Sequence, residues 1–468
     1  MKRVVHPSST IGQALMVPIM NGRQRREYFA LLSIWLLALA FFWGWWLRPE
    51  HVVSAGGMVI TSLMLVWSTV LPAWYFYFAA RMKRPNPALP VPRGRVAMVV
   101  TKAPSEPWPV VRHTLERMLA QDFPRPFDVW LADEDATAEV RFWCRRKGVQ
   151  ISCRKGASGY HNAAFPARQK CKEGNLRYFY DRFGYERYDF VVQLDADHAP
   201  EPDYLLQMIR PFADARVGYV AGPSICDTNM DDSWVCRARL YAEAPLHGAL
   251  QAGYNDGWAP NPIGSHYAVR TAALRELVHR DAHGVRAVGG LGPELAEDHT
   301  TGLAMNANGW RGAFAIDAIA HGEGACSLAD SVTQEFQWCR SLMNVLLRWA
   351  PGYWGGLSRR LKLQYGFAQL WYPLFAAYML AVYLMPVLAL VFRMPWVSVT
   401  YIQFLWHMAL PTAACILPIC WLRRQRWLRP AEAKVAGWET VLFQFIRWPW
   451  SLFACVQAIV GHLLKREF

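Results

Sequence analysis

The chain has 468 residues, 53% of them hydrophobic and 14% aromatic, and carries a formal charge of +14. It is too apolar for an ordinary soluble enzyme, yet its mean hydropathy is only +0.05, a combination that membrane helices joined to a soluble domain produce. The charge does not mark a nucleic-acid surface, because Arg23-Gln-Arg25-Arg26, Arg81-Met-Lys83-Arg84 and Arg423-Arg424-Gln-Arg426 flank apolar segments, the pattern of cytoplasmic membrane borders.

In chain order, the polar lead reads as a cytoplasmic segment and not as a cleavable leader, because a second apolar stretch closely follows the first. Residues 28–47 and 52–80 are each long and apolar enough to span a bilayer. Arg48-Pro-Glu-His51 makes a tight link between them, and residues 84–92 form a Pro-rich linker. The spacing then predicts strands at 96–100, 127–131 and 149–153, with helices at 108–121, 136–147 and 168–179. A further apolar run from Tyr188 ends at Asp195. Strands alternating with helices imply a mostly parallel sheet with right-handed crossovers. Residues 338–349 mix Trp and Arg with apolar residues at helical spacing, as in an interfacial helix. Spans are expected at 371–392 and 399–422, and a fifth at 438–464 that holds Arg447 and Pro449, with a re-entrant or interfacial helix as the alternative there. The expected division is 1–94 for the lead, two membrane helices and linker, 95–335 for a cytoplasmic α/β domain, and 336–468 for the interfacial helix and about three membrane helices. The ten cysteines form no CxxC pair, so neither a zinc site nor a disulfide framework is readable.

The chemistry concentrates in acidic pairs at strand ends. Asp195 and Asp197 stand at i and i+2 where an apolar run stops. Open α/β sheets bind ligands at the carboxyl ends of their strands, and two carboxylates there suit a hard divalent cation that bridges to phosphates. Asp133-Glu134-Asp135 repeats the pattern at an earlier strand end, where a carboxylate can accept hydrogen bonds from a base or ribose. Glu297-Asp298-His299 follows Gly289-Gly-Leu-Gly292 and reads as a third acidic site or as the cap of a helix over 300–308. Gln334 to Trp338 opens the interfacial helix.

The set Asp133, Asp195-Ala-Asp197, Glu297-Asp298 and Gln334-x-x-Gln337-Trp338, lying between apolar spans, resembles the membrane-bound family 2 glycosyltransferases over residues 28–465. That family includes cellulose, chitin, hyaluronan and curdlan synthases. The resemblance implies a glycosyltransferase-A-like α/β domain inserted between transmembrane helices, a nucleotide-sugar donor (usually a UDP-sugar), and Mg2+ or Mn2+. It implies that Asp133 contacts the nucleoside and that Lys172, Gly174 and Asn175 lie near the donor, with Gln334. Asp195 and Asp197 would bind diphosphate and metal, Asp298 would be the general base, and Ser265, in Gly264-Ser265-His266, would sit close to the acceptor sugar. Trp338 would stack on that sugar. Two positions depart from the family: Gln337 stands where Arg is usual, and Ile263 where Cys is usual. Arg340, three residues beyond Gln337 and on the same helical face, is expected to replace the missing charge at the diphosphate.

Three functions follow as expectations. The leading one is an inverting, processive synthase of the inner membrane, its catalytic domain cytoplasmic, that extends a polysaccharide and exports it, with or without export partner proteins. The second is a non-processive transferase acting on a lipid acceptor in the bilayer. The third, a transporter without chemistry, is disfavoured because the spans carry few charges besides Arg447.

Overall fold

The computed structural model describes residues 14–464; the polar lead through residue 13 and residues 465–468 lie outside the described residues. Strand β1 (Met16–Pro18) precedes helix α1 (Gly22–Trp46). The helix begins before residue 28 because Asn21 and Gln24 form a reciprocal capping box. A short turn at Pro49–His51 reverses the chain, and Ser54 caps α2 (Ala55–Ala79) by accepting a hydrogen bond from the Gly57 N–H. The linker is not wholly irregular. Strand β2 (Lys83–Pro85) pairs antiparallel with β1 and ties the entry to the soluble domain to the residues preceding α1.

The α/β domain follows as β3 (Val96–Lys102), α3 (Trp108–Leu119), β4 (Asp128–Asp133), α4 (Ala138–Lys147), β5 (Gln150–Cys153), α5 (Lys172–Phe179) and β6 (Phe190–Leu194). It continues through β7 (Val217–Ala221), α6 (Trp234–Pro245), β8 (His266–Arg270), α7 (Glu297–Ala307) and β9 (Arg311–Phe314). The seven-stranded sheet has the order β9-β7-β8-β6-β3-β4-β5. All neighbours run parallel except β8, which is antiparallel to both β6 and β7. Every residue of β3 is buried, as expected of a strand covered on both faces, and separate hydrophobic clusters pack on the two sides of the sheet. The fold is glycosyltransferase-A-like.

Two helices start elsewhere than the sequence predicts. Helix α5 begins at Lys172, not 168, because Ala167 and Lys170 adopt left-handed backbone conformations. The Glu173 carboxylate accepts the Ala167 and Arg168 N–H groups, at 3.0 and 3.1 Å. Helix α7 begins at Glu297, so Glu297 and Asp298 lie in its first turn and do not cap a helix starting at 300; carboxylates are favoured there by the helix dipole.

Helix α8 (Leu328–Asn344) is capped by Ser327 and runs across the expected 335/336 boundary, which puts Gln334–Trp338 in its middle and not at its start. A π turn (Val345–Trp349) follows. Helix α9 (Arg359–Phe392) begins well before residue 371, and its first turns reach into the soluble domain, where Gln364 donates to the Ala259 carbonyl at 2.6 Å. Helices α10 (Tyr401–Arg424) and α11 (Trp438–Leu463) complete the chain.

Among the described residues four helices, α1, α2, α9 and α10, are long and apolar enough to cross a membrane. Their outward faces carry Leu37, Leu390, Ile402 and Trp406, each more than two-thirds exposed, as lipid-facing residues are. The fifth expected span, α11, is helical throughout but is not among the four. It packs against α8 and α6 and buries Glu439, Arg447 and Ser451.

Candidate active site

The carboxyl ends of β3, β4 and β6 lie side by side and bring Lys102, Asp133 and Asp195 to one edge. Strand β8 runs the other way, so its amino end reaches the same edge, with His266 opposite Leu194. The Asp195 N–H donates to the Ser265 carbonyl at 2.8 Å. This reversal is how Gly264 and Ser265 come to stand beside the aspartate pair.

Lys172, at the start of α5, is the hub. Its Nζ lies 2.5 Å from Asp195 Oδ1 and also donates to the Gly264 carbonyl. Glu297 and Asp298 act on the same ammonium electrostatically. Burial alone would lower the Lys172 pKa, but these carboxylates raise it, so the lysine is held as a cation. The Asp298 carboxylate accepts backbone hydrogen bonds from His299, at 2.7 Å, and from Gly264. Burial pushes the Glu297 and Asp298 carboxyls above the usual carboxylate range, and Glu297 Oε1 has no hydrogen-bond partner.

Each aspartate has a cationic neighbour, Lys172 on Asp195 and His198 on Asp197. Burial raises the Asp195 pKa, and Asp197 adds repulsion. Burial also pushes Glu106, on the β3–α3 loop, up to about 7, with further repulsion from Asp195 and Asp197. His198 Nδ1 lies 3.0 Å from Asp197 Oδ1. Burial opposes charge on both, but this hydrogen bond pushes His198 up to about 10 and holds Asp197 below the usual range. The second Asp197 oxygen accepts the Glu323 N–H at 3.2 Å. No group of three His, Cys, Asp or Glu among the described residues is arranged to hold a metal ion. The donor set nevertheless fits one. Two hard carboxylates at a strand end suit a cation whose remaining ligands are substrate phosphates.

Asp133 is fully buried. Its Oδ1 accepts the Asp135 N–H at 2.9 Å, and its Oδ2, 3.6 Å from Lys102 Nζ, has no hydrogen-bond partner. Asn175 Nδ2 donates to the Ala132 carbonyl at 2.8 Å, which fastens α5 to β4, and its Oδ1 has no hydrogen-bond partner. The neighbouring Glu134 is paired with buried Arg154. The Ser265 hydroxyl is buried and has no hydrogen-bond partner.

Helix α8 is tied to the base site from behind. Ser341 Oγ accepts the Ala296 N–H at 2.9 Å, one residue before Glu297. Gln369 of α9 lies 3.2 Å from His299, one residue after Asp298. Along α8, Gln337 is exposed, Trp338 is 41% exposed, and Arg340 sits over the Phe336 ring at 5.8 Å. Gln334 accepts a hydrogen bond from Arg239 of α6 at 2.6 Å, and the same guanidinium stacks 3.8 Å from the Trp338 ring. Lys102, Glu106, His198 and Arg239 were not singled out from the sequence. His198 had a signal, its position beside Asp197; Glu106 and Arg239 had none.

The chain is similar to known proteins over much of its length. A family described as "Glycosyltransferase like family 2" matches residues 92–341. A cellulose synthase catalytic subunit (UDP-forming) of Xanthomonas axonopodis pv. citri (strain 306) is 26% identical over 369 residues, covering 74% of this chain and 46% of that protein. Cellulose synthase 2 of Novacetimonas hansenii is 25% identical over 372 residues, covering 76% of this chain and 21% of that one. The chain thus spans about half or less of the length of these relatives. A mannosyltransferase from Pyrobaculum calidifontis, solved with GDP-Man and Mn2+, aligns over 95% of this chain and 100% of its own at 16% identity and a TM-score of 0.47.

Proposed function

The chain belongs to glycosyltransferase family 2, and from that premise we propose that it is an inverting transferase that moves a sugar from a nucleotide-sugar donor, a UDP-sugar, to a growing polysaccharide at the inner membrane. The observation that carries the reading is Lys172, one ammonium shared by Asp195, Glu297 and Asp298. It binds the aspartate pair and the acidic turn of α7 into one site.

In this reading the nucleoside lies against the β4 end at Asp133, whose Oδ2 is buried 3.6 Å from Lys102 Nζ and makes no hydrogen bond within the protein. Asp195 and Asp197 would hold Mg2+ or Mn2+ beside the donor. When bound, the ion offsets the charge that develops on the leaving diphosphate. Lys172 adds fixed positive charge to the same edge. Asp298 accepts the proton of the acceptor hydroxyl, which is a poor nucleophile until a carboxylate takes it. Burial supports this role by raising the proton affinity of Asp298 above that of a solvated aspartate. Asp195 is paired with Lys172 and does not serve as base. Displacement at the anomeric carbon from the face opposite the diphosphate inverts its configuration. Trp338, half exposed on a helix fastened to Ala296, stacks on the acceptor sugar. The α/β domain is cytoplasmic, where nucleotide sugars are made, and α1, α2, α9 and α10 embed the enzyme and give the product its exit.

The test is direct. The purified chain in lipid nanodiscs is incubated with labelled UDP-glucose, UDP-N-acetylglucosamine and GDP-mannose, with Mg2+ or Mn2+, and the product is sized. A polymer of many residues is expected from one UDP-sugar. A single labelled lipid extracted into organic solvent would identify the non-processive alternative, and transfer from no donor would refute the activity.

A further inference from the structure

Arg239 is 9% exposed, low for an arginine. Its guanidinium makes three contacts at once. Nη1 donates to Gln334 Oε1 at 2.6 Å, the planar group stacks 3.8 Å from the Trp338 ring centroid, and Nε lies 3.3 Å from Glu243 Oε1. A planar fork with five donors can do all three, and an ammonium cannot. Gln334 and Trp338 are i and i+4 on α8, so they share one face. Glu243 is itself held in place, with its other oxygen 3.7 Å from His247 Nε2. Burial opposes charge on Glu243, but Arg239 and His247 bring its pKa down to about 2. The pair is therefore charged across the physiological range.

A second arginine grips α8 about 100° further round the helix, at the next residue. Arg447 of α11 donates to Glu335 Oε1 through Nη2 at 2.6 Å and Nε at 2.9 Å, and Ser451 adds a third bond at 3.3 Å. The helix is thus held at two adjacent residues, 334 and 335, by arginines from two other helices. An indole has two faces. Arg239 covers one, and Trp338 keeps 41% of its surface open. The Gln334 amide is oriented by the same bond.

We propose that Arg239 is a positioning residue for acceptor binding: it fixes the Trp338 indole so that the uncovered face of the indole meets the acceptor sugar. The inference rests on the acceptor role given to Trp338 above. It assigns to α6 the cation that backs the Gln334–Trp338 face, whereas Arg340 lies over Phe336.

The test is a double-mutant cycle on the full chain in nanodiscs, with acceptor oligosaccharide titrated at saturating UDP-sugar and donor affinity measured separately by calorimetry. Arg239→Ala is expected to raise the acceptor KM about tenfold, with donor affinity unchanged within a factor of two. Arg239→Lys, which keeps charge but not the fork or the plane, should fall between the two. Trp338→Ala should raise acceptor KM similarly, and adding Arg239→Ala to it should change nothing further. Multiplicative effects in the double variant, or a parallel loss of donor affinity in Arg239→Ala, would overturn the proposal; the cycle and the lysine variant keep this readable if the alanine variant is poorly folded. The underlying reading fails separately. A wild-type protein that transfers no sugar refutes the activity, and a Trp338→Ala enzyme with normal acceptor KM refutes the role of Trp338, and the inference falls with either.

Discussion

Lys172 Nζ and Asp195 Oδ1 lie 2.5 Å apart, and the same ammonium faces the Glu297–Asp298 turn. The site is therefore built around a protein cation with carboxylates on two sides, at the junction of α5, β6, β8 and α7. Removing that cation leaves the carboxylates around it uncompensated; because Asp195 remains 38% exposed, the cost is on the order of 1–3 kcal/mol, below that of a fully buried pair. Lys172→Met is expected to lower stability by an amount of that order and to abolish transfer. Thermal unfolding and nucleotide-sugar turnover on one preparation check both. A stable, active Lys172→Met enzyme would show that the hub is dispensable.

The metal reading makes a separate demand. Asp195→Asn and Asp197→Asn should each remove transfer while the protein stays folded in the membrane fraction. In the wild type, chelation should stop the reaction and added Mn2+ or Mg2+ should restore it. Undiminished turnover in chelator would exclude the assignment of the two aspartates to a cation.

Asp298 has a pH signature. The base must be ionised to accept a proton, and burial holds its pKa above the solution aspartate value of about 3.9. Turnover should therefore fall on acidification at a higher pH than a solvated aspartate would give, and should recover fully as pH rises. Asp298→Asn should retain nucleotide-sugar binding and lose turnover at every pH. Simultaneous loss of binding would reassign the residue to the donor side.

The Glu335–Arg447 pair tests the grip of α11 on α8. Both side chains are buried, with the shortest contact at 2.6 Å. Arg447→Met alone should destabilise the protein by about 3–5 kcal/mol, because it leaves a buried carboxylate unpaired. Glu335→Leu in the same background should recover most of that loss, since an apolar replacement of both partners is often neutral. Thermal midpoints of the single and double variants decide it.

Orientation is checked by labelling. Cys326 is exposed, and Cys153 and Cys226 are partly so, whereas Cys144 is buried and reports poorly. If the α/β domain faces the cytoplasm, a membrane-impermeant maleimide should leave Cys153, Cys226 and Cys326 unlabelled in intact cells and modify Cys326 after lysis. Labelling of Cys326 from outside would reverse the topology.

Contiguous residues carried most of the architecture. The apolar lengths of α1, α2, α9 and α10, the alternation from β3 to β6, and the carboxylates at the ends of β4 and β6 are properties of short windows, because strand and helix periods and strand termination are local. So was the order of the acidic clusters and the Gln334–Trp338 motif. Helix starts at Lys172 and Glu297 were less legible, since each depends on a backbone turn or a neighbouring loop and not on a side-chain cap.

The tertiary structure alone decided which groups meet. Arg239 and Gln334 are 95 positions apart, Lys172 and Gly264 are 92, and Arg447 and Glu335 are 112. Strand β8 reverses direction within an otherwise parallel sheet, which turns Ser265 toward Asp195. Helix α9 continues below the span to reach His299. None of these leaves a periodic or spacing signal, because the choice of partner is made by sheet order and helix packing, whose energies lie in contacts between residues far apart in the chain. The sequence by itself determined the parts and their order along the chain; packing determined that Lys172 joins them into one site and that Arg239 backs Trp338.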